Sequence, residues 1–244
     1  MSTVPSSAVA ESRFVRGIAA SLSDGEPGIP QLHSAAESVR DDPRAFVSWL
    51  AGLSRDAGAV RAVVARSYWH PNGFAKLILH TSAEPAFRIR LHVWPEATGE
   101  KTRGESNPHS HRWEFASVVL VGEGMHMVEY QEVTDRGKLF TRYRYGTDPA
   151  DPAALVADGA ARLFKTRSPH VFRAEVYSCD TDVVHTVEPI GRGLTATVVV
   201  QGPHRTPDTV VYCAPGESDD QPNHPLSESD FHLLVKSVVT EVGG

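Results

Sequence analysis

Apolar residues follow two successive rhythms along this chain, and the change from one to the other divides it. Over roughly the first sixty positions the rhythm is helical. Phe14, Val15, Ile18 and Leu22 recur three or four residues apart, the spacing that lines one face of a helix. Ser34-Ala35-Ala36-Glu37 has the form of a capping box, in which serine and glutamate side chains satisfy exposed N–H groups at a helix start. Asp42-Pro43 opens another helix, with proline where its missing N–H has no partner to lose. Phe46, Trp49, Leu50 and Leu53 form the apolar stripe of that helix, which is expected to cover a sheet.

From about Arg61 the period shortens to two, and runs rich in β-branched and aromatic residues alternate with Pro, Gly and Asp turns. Strands are expected near Ala62 to Tyr68, Gly73 to His80, Phe87 to Trp94, Trp113 to Val121, His126 to Glu132, Leu139 to Arg144, Phe172 to Tyr177, His185 to Glu188, Leu194 to Gln201 and Thr209 to Cys213. Pro149 to Gly159 reads as a loop with a short helical turn, and Gly216 to Pro225 as polar and turn-rich before a last apolar segment, Phe231 to Val242. The expected organisation is one all-β domain: an N-terminal helical extension over 1–60, a barrel over 61–215 and a C-terminal segment over 216–244. One run separates its faces cleanly. Phe87, Ile89, Leu91 and Val93 form an apolar face, whereas Arg88, Arg90, His92 and Trp94 form a basic and aromatic one.

Composition narrows the partners. The 244 residues are 41% hydrophobic and 22% charged, with 19 Gly and 17 Pro, which fits a folded protein with many turns. A formal charge of −6 gives no general attraction to nucleic acid or anionic membrane surfaces, so small molecules are the expected ligands. Cys179 and Cys213 are too far apart for a metal-binding CxxC and are expected to be buried thiols. Met1 to Ala10 shows no secretory pattern and no apolar run approaches 18 residues, so a cytoplasmic location is expected.

The chemistry gathers on histidine. His109-Ser110-His111 is followed about 75 residues later by His185-Thr186-Val187. On a strand, His109 and His111 would project to the same face with Cα atoms roughly 6.5 Å apart. Imidazole suits Fe, Zn, Cu and Ni, and three protein nitrogens leave coordination positions open for substrate, oxygen or water. His70, His80, His126, His170 and His204, each alone in or beside a strand, are expected to be surface or core residues.

Pro108 to Glu114, with Gly122 closing the strand after it, resembles the first motif of the cupin superfamily, and Asp180 to Val187 looks like the second. The resemblance spans roughly Gly73 to Pro215 and implies a double-stranded β-helix, or jelly-roll barrel, that brings His185 to His109 and His111. The fourth ligand usual in that family is a glutamate. Strand alternation turns Glu114 away from the histidine face, unless a bulge over 112–114 reverses it. Three neutral imidazoles leave the metal's charge uncompensated and favour an anionic substrate atom such as a thiolate.

Among cupins this ligand set is similar to that of the thiol dioxygenases of the cysteine dioxygenase type, and Phe87 to Trp94 followed by the histidine motif matches the order of elements there. The resemblance implies Fe(II) as cofactor, with Ni(II) or another divalent metal as alternatives, and O2 with a small thiol-bearing amino acid as substrates. Trp94 matches the family's pocket tryptophan, and Thr197 stands for a small pocket hydroxyl. Phe115 occupies the place of the family's cysteine and Gln201 that of its tyrosine, so their crosslink cannot form. Arg90, or Lys76, would hold the substrate carboxylate, with His92 as hydrogen-bond donor or proton carrier and Trp113 and Phe115 as a dry wall. Two other readings stay open: an O2-independent cupin isomerase or lyase, and a non-catalytic ligand-binding cupin. A homodimer is compatible with exposed barrel strands.

Overall fold

Helices form the first layer of the fold. The computed structural model describes residues 12–23, 25–97, 105–145, 155–217 and 223–243. α1 (Arg13–Ser21) starts on Ser12, whose Oγ accepts from the Val15 N–H. α2 (Ile29–Asp41) is entered through Gly28, whose N–H donates to Gln31 Oε1. Ser34 therefore lies inside α2 rather than at its start, and the capping-box reading of Ser34 to Glu37 is corrected: serine and glutamate three apart also occur within a helix. α3 (Pro43–Leu53) starts on Pro43 as expected, and Asp42 Oδ1 caps it by accepting from the Ala45 N–H.

α4 (Ala57–Val64) stands where a strand over Ala62 to Tyr68 was expected. Asp56 decides the matter locally, its Oδ1 accepting from both Gly58 and Ala59 N–H groups. Val60 and Val63 then fall on one buried helix face, and the strand proper is only β1 (Tyr68–His70).

Among the described residues the remainder is all-β apart from the last helix. β2 (Phe74–Ala83), β3 (Ala86–Trp94), β4 (Glu105–His109), β5 (Trp113–Val121), β6 (Gly124–Val133), β7 (Lys138–Tyr145), β8 (Leu155–Arg167), β9 (His170–Phe172), β10 (Val176–Cys179), β11 (Val184–Pro189), β12 (Thr195–His204), β13 (Val210–Cys213) and β14 (His224–Pro225) precede α5 (Glu228–Gly243). They form two seven-stranded sheets, in the orders β10-β5-β12-β3-β2-β1-β14 and β11-β4-β13-β7-β8-β6-β9. All pairings are antiparallel. The second sheet also curls on itself, because β6 pairs with both β8 and β11. β8 begins inside the expected loop Pro149 to Gly159, whose residues 149–154 lie outside the described residues.

The two faces of the first sheet do different work. Leu77, Ile89, Leu91, Val93, Val118, Val198 and Val200 pack beneath the helices in the largest apolar core; each such side chain removed from water contributes about 1.5–3 kcal/mol. On the opposite face, Phe74, Trp94 and Val119 meet Met125, Met127, Val171 and Val187 of the second sheet and plug one end of the barrel. The result is a jelly-roll barrel of two antiparallel sheets with a helical layer on one side. Gly122 makes the turn from β5 to β6 at φ +98°, and a Cβ there would meet Thr195 Oγ1 at 2.7 Å. Among the described residues no helix is long and apolar enough to cross a membrane.

Candidate metal centre

His109 is the last residue of β4 and lies directly opposite His185 of β11. His111 sits not on the same strand but in the link from β4 to β5. The expectation that both histidines of the motif project from one strand is thereby corrected, and a pinned link replaces strand alternation. The Ser110 N–H donates to Val210 O at 3.0 Å, the Val210 N–H donates to Ser110 Oγ at 3.1 Å, and Thr209 Oγ1 donates to Ser110 O. β13 thus holds the residue between the two histidines from its backbone and its side chain.

The three rings converge, with centroids 4.9 Å apart for His109 and His111 and 5.1 Å apart for each of the other two pairs. One ligand atom from each lies within 4.8 Å of those of the others. His111 Nε2 and His185 Nε2 are 3.0 Å apart. Two nitrogens each about 2.05 Å from one ion and at right angles would be about 2.9 Å apart, so this spacing suits neighbouring ligands of a single metal. His109 Nδ1 is 3.0 Å from Asn107 O; donation there leaves Nε2 as the metal-facing atom. His185 is buried, while His109 and His111 are half-exposed, so the centre opens on their side.

Glu114 is not part of the cluster. Its Oε2 accepts from Arg205 Nε at 2.9 Å, and Arg205 also donates to Pro27 O and pairs with Glu26. Where β5 pairs with β12 the extra residue lies on β12, between Gln201 and His204, so alternation along β5 is kept and Trp113 and Phe115 take the barrel side. The donor set among the described residues is therefore three histidines, which fits a divalent transition metal and leaves its charge unbalanced.

Aromatic rings wall the centre. Phe115 lies 5.1 Å from the His111 ring and 6.2 Å from the His185 ring, and Trp113 lies 5.7 Å from His111. Register places the other residues singled out from the sequence. Arg88, Gln201 and Phe115 are successive partners across β3, β12 and β5; Ile78, Arg90, Val199 and Ser117 form the next row, and Lys76, His92, Thr197 and Val119 the row after it. Arg90 is 8% exposed, and its guanidinium lies over the Trp113 ring at 4.8 Å. Phe115, Trp113, Gln201 and Arg90 are thus gathered beside the histidines.

Lys76, His92, Thr197 and Trp94 lie deeper. The His92 and Thr197 row is two residue pairs, about 13 Å along the strand, from the Phe115 row. Lys76 Nζ lies over the Phe74 ring, His92 neighbours Phe74 and Trp94, and Trp94 stacks on Phe74 at 4.6 Å within the apolar plug. The basic face of β3 turns into the barrel, and Arg88 is half-buried on that face.

Sequence reasoning passed over several neighbours. Cys179 Sγ lies 3.7 Å from His185 Nδ1, and Tyr177 is 6.0 Å from Phe115. His204 stacks on Trp113 at 5.2 Å. Burial, then Arg88, Arg112 and Arg90, holds the His204 imidazole below its ordinary pKa. The hydroxyls of Ser117 and Thr197 and the Oε1 of Gln201 are buried without a hydrogen-bond partner. Two-residue alternation from Phe115 and Cys179 is the signal that could have found Ser117 and Tyr177; no local signal marks Thr209.

No family model matches the chain, and no curated protein matches it. Among solved structures, a recombinant oxalate oxidase in complex with glycolate is 15% identical, with 70% of this chain and 75% of that chain covered at a TM-score of 0.34. KdgF from Halomonas sp. is 10% identical, covering 55% and 84% at 0.31. The Cnp3 cupin domain of Schizosaccharomyces pombe is 11% identical, covering 53% and 64% at 0.29. Likenesses this distant carry no argument about ligand or reaction, and the assignment of fold rests on the strand topology described above.

Proposed function

We propose that this chain is a metal-dependent cupin dioxygenase that holds Fe(II), or Ni(II) or another divalent metal, on His109, His111 and His185, and uses O2 to oxidise a small thiol-bearing amino acid such as cysteine or an analogue. The observation that carries the reading is the all-histidine donor set, with Glu114 committed to Arg205. A cation bound by neutral ligands alone favours an anionic substrate atom. When bound, the metal makes a thiolate available at neutral pH and supplies the one-electron chemistry that O2 requires.

The chain's own residues account for the rest of the task. Arg90 presents a buried guanidinium to a substrate carboxylate, a pairing strengthened by its two parallel hydrogen bonds. Gln201 Oε1 offers an acceptor to the substrate's amine from the Phe115 row. Trp113 and Phe115, packed against the His111 ring, wall one flank of the opening and keep the bound substrate in one orientation.

The test is metal analysis of the purified protein followed by oxygen uptake with cysteine, 3-mercaptopropionate and cysteamine. Metal-dependent uptake with the two carboxylate-bearing thiols, at least tenfold faster than with cysteamine, supports the reading. Absence of uptake with each of these thiols and with mercaptosuccinate, a thiol-bearing dicarboxylate, contradicts it, and turnover under nitrogen would replace it with Lewis-acid chemistry at the same ion.

A further inference from the structure

The mouth of the barrel beside His111 carries more positive charge than one carboxylate requires. Arg90 lies over one side of the Trp113 indole, and His204 stacks on that indole at 5.2 Å. Arg112 immediately precedes Trp113 and has its guanidinium 5.8 Å from the Tyr145 ring. Arg88 stands next to Gln201, which stands next to Phe115. Arg66, hydrogen-bonded to the carbonyls of Ile78 and Leu79, adds a further positive charge near Arg88.

The outer two arginines of this group have no acidic partner among the described residues: neither Arg88 nor Arg112 has an acidic group within 4.0 Å, whereas Arg142, Arg144, Arg167 and Arg205 are all paired. Like charges gathered in a half-buried site are costly unless a counter-charge joins them. Elsewhere the protein is acidic, with a formal charge of −6, so its general surface repels small anions and the mouth is a local exception.

We infer that the mouth is a binding site for a second anionic group, held by Arg88 and Arg112, so that the small-molecule substrate carries two negative charges besides its reacting atom. The ligand class is a thiol-bearing dicarboxylate or a phosphoryl-bearing thiol; their shared chemistry is a dianion of small size. The inference rests on the proposed function for the reaction, but the site itself is independent of oxygen, thiol and metal. A single carboxylate would occupy Arg90 and leave the outer two guanidiniums without a counter-charge.

The experiment is calorimetric titration of the full-length protein, stripped of metal by chelation, with succinate, inorganic phosphate and butyrate at one ionic strength. Matching the ionic strength matters because a half-exposed site is screened by salt. The expected result is that succinate or phosphate binds at least tenfold more tightly than butyrate; the stronger of the two tells split charges from a single phosphoryl group. Arg88→Gln and Arg112→Gln should each weaken that dianion at least fivefold and leave butyrate within twofold, and Lys236→Gln, at an exposed position of α5, should change nothing. Equal affinity for butyrate and both dianions overturns the inference, as does dianion binding that survives both arginine substitutions. Failure of thiol oxidation with the dianion site intact would instead remove the proposed reaction alone.

Discussion

Cys179 Sγ lies 3.7 Å from Nδ1 of His185, on the side of the ring away from the histidine cluster. With Nε2 turned towards His111, Nδ1 carries the proton and donates to the sulfur, and the thiol in turn donates to Asp180 O. A cysteine thus occupies the place where a carboxylate or carbonyl usually orients a metal-ligating histidine.

Cys179→Ala is expected to lower metal affinity about tenfold, the lower end of the loss that follows removal of such a partner. Cys179→Ser, whose hydroxyl can accept and donate in the same way, should stay within about threefold. Competition against a chelator of known affinity measures both. Unchanged affinity in the alanine variant would remove the orienting role.

Glu114 gives the opposite expectation. Its carboxylate is tied to Arg205, and through it to Glu26 and Pro27 ahead of α2. Glu114→Gln should leave metal content unchanged while lowering stability by about 1 kcal/mol, as for a partly exposed ion pair. Chemical denaturation and metal analysis of the same sample separate the two effects; a metal-free variant of normal stability would restore Glu114 as a ligand.

The cluster was legible in the sequence because the spacing of His109 and His111, with His185 far downstream, survives an error about local structure. His109 and His111 were assigned to one strand, yet they meet because Ser110 is fastened to Val210 and Thr209. No local pattern announces a bond between residues about a hundred positions apart. The apolar and basic faces of Phe87 to Trp94 were readable from alternation, since one face had to be buried beneath helices. α4 was not, because Val60, Val63 and Val64 are β-branched and the segment is too short for one period to exclude the other. The Asp56 cap was the overlooked signal. β8 escaped because most of its side chains are exposed and Gly159 interrupts it. The gathering of His204, Arg88 and Arg112 is a product of register between distant strands, which composition does not encode.

His204 supplies a pH expectation. Its pKa is lowered in the folded protein, so below about pH 6.5, the ordinary histidine value, the unfolded chain takes up the proton first. Stability associated with His204 is therefore intact above that pH and declines as pH falls towards the folded-state pKa. His204→Gln should show a smaller loss of Tm between pH 7 and pH 5.5 than the parent protein. An identical or larger loss would contradict the shift.

The central claim is that three distant histidines hold one ion, and metal content tests it most directly. The protein, purified, stripped and reloaded with Fe(II) under nitrogen, should retain about one metal per chain after desalting. His109→Ala, His111→Ala and His185→Ala should each retain less than about a tenth of that, with circular dichroism verifying that each variant is folded. A folded His185→Ala protein that keeps its full metal complement would contradict the account.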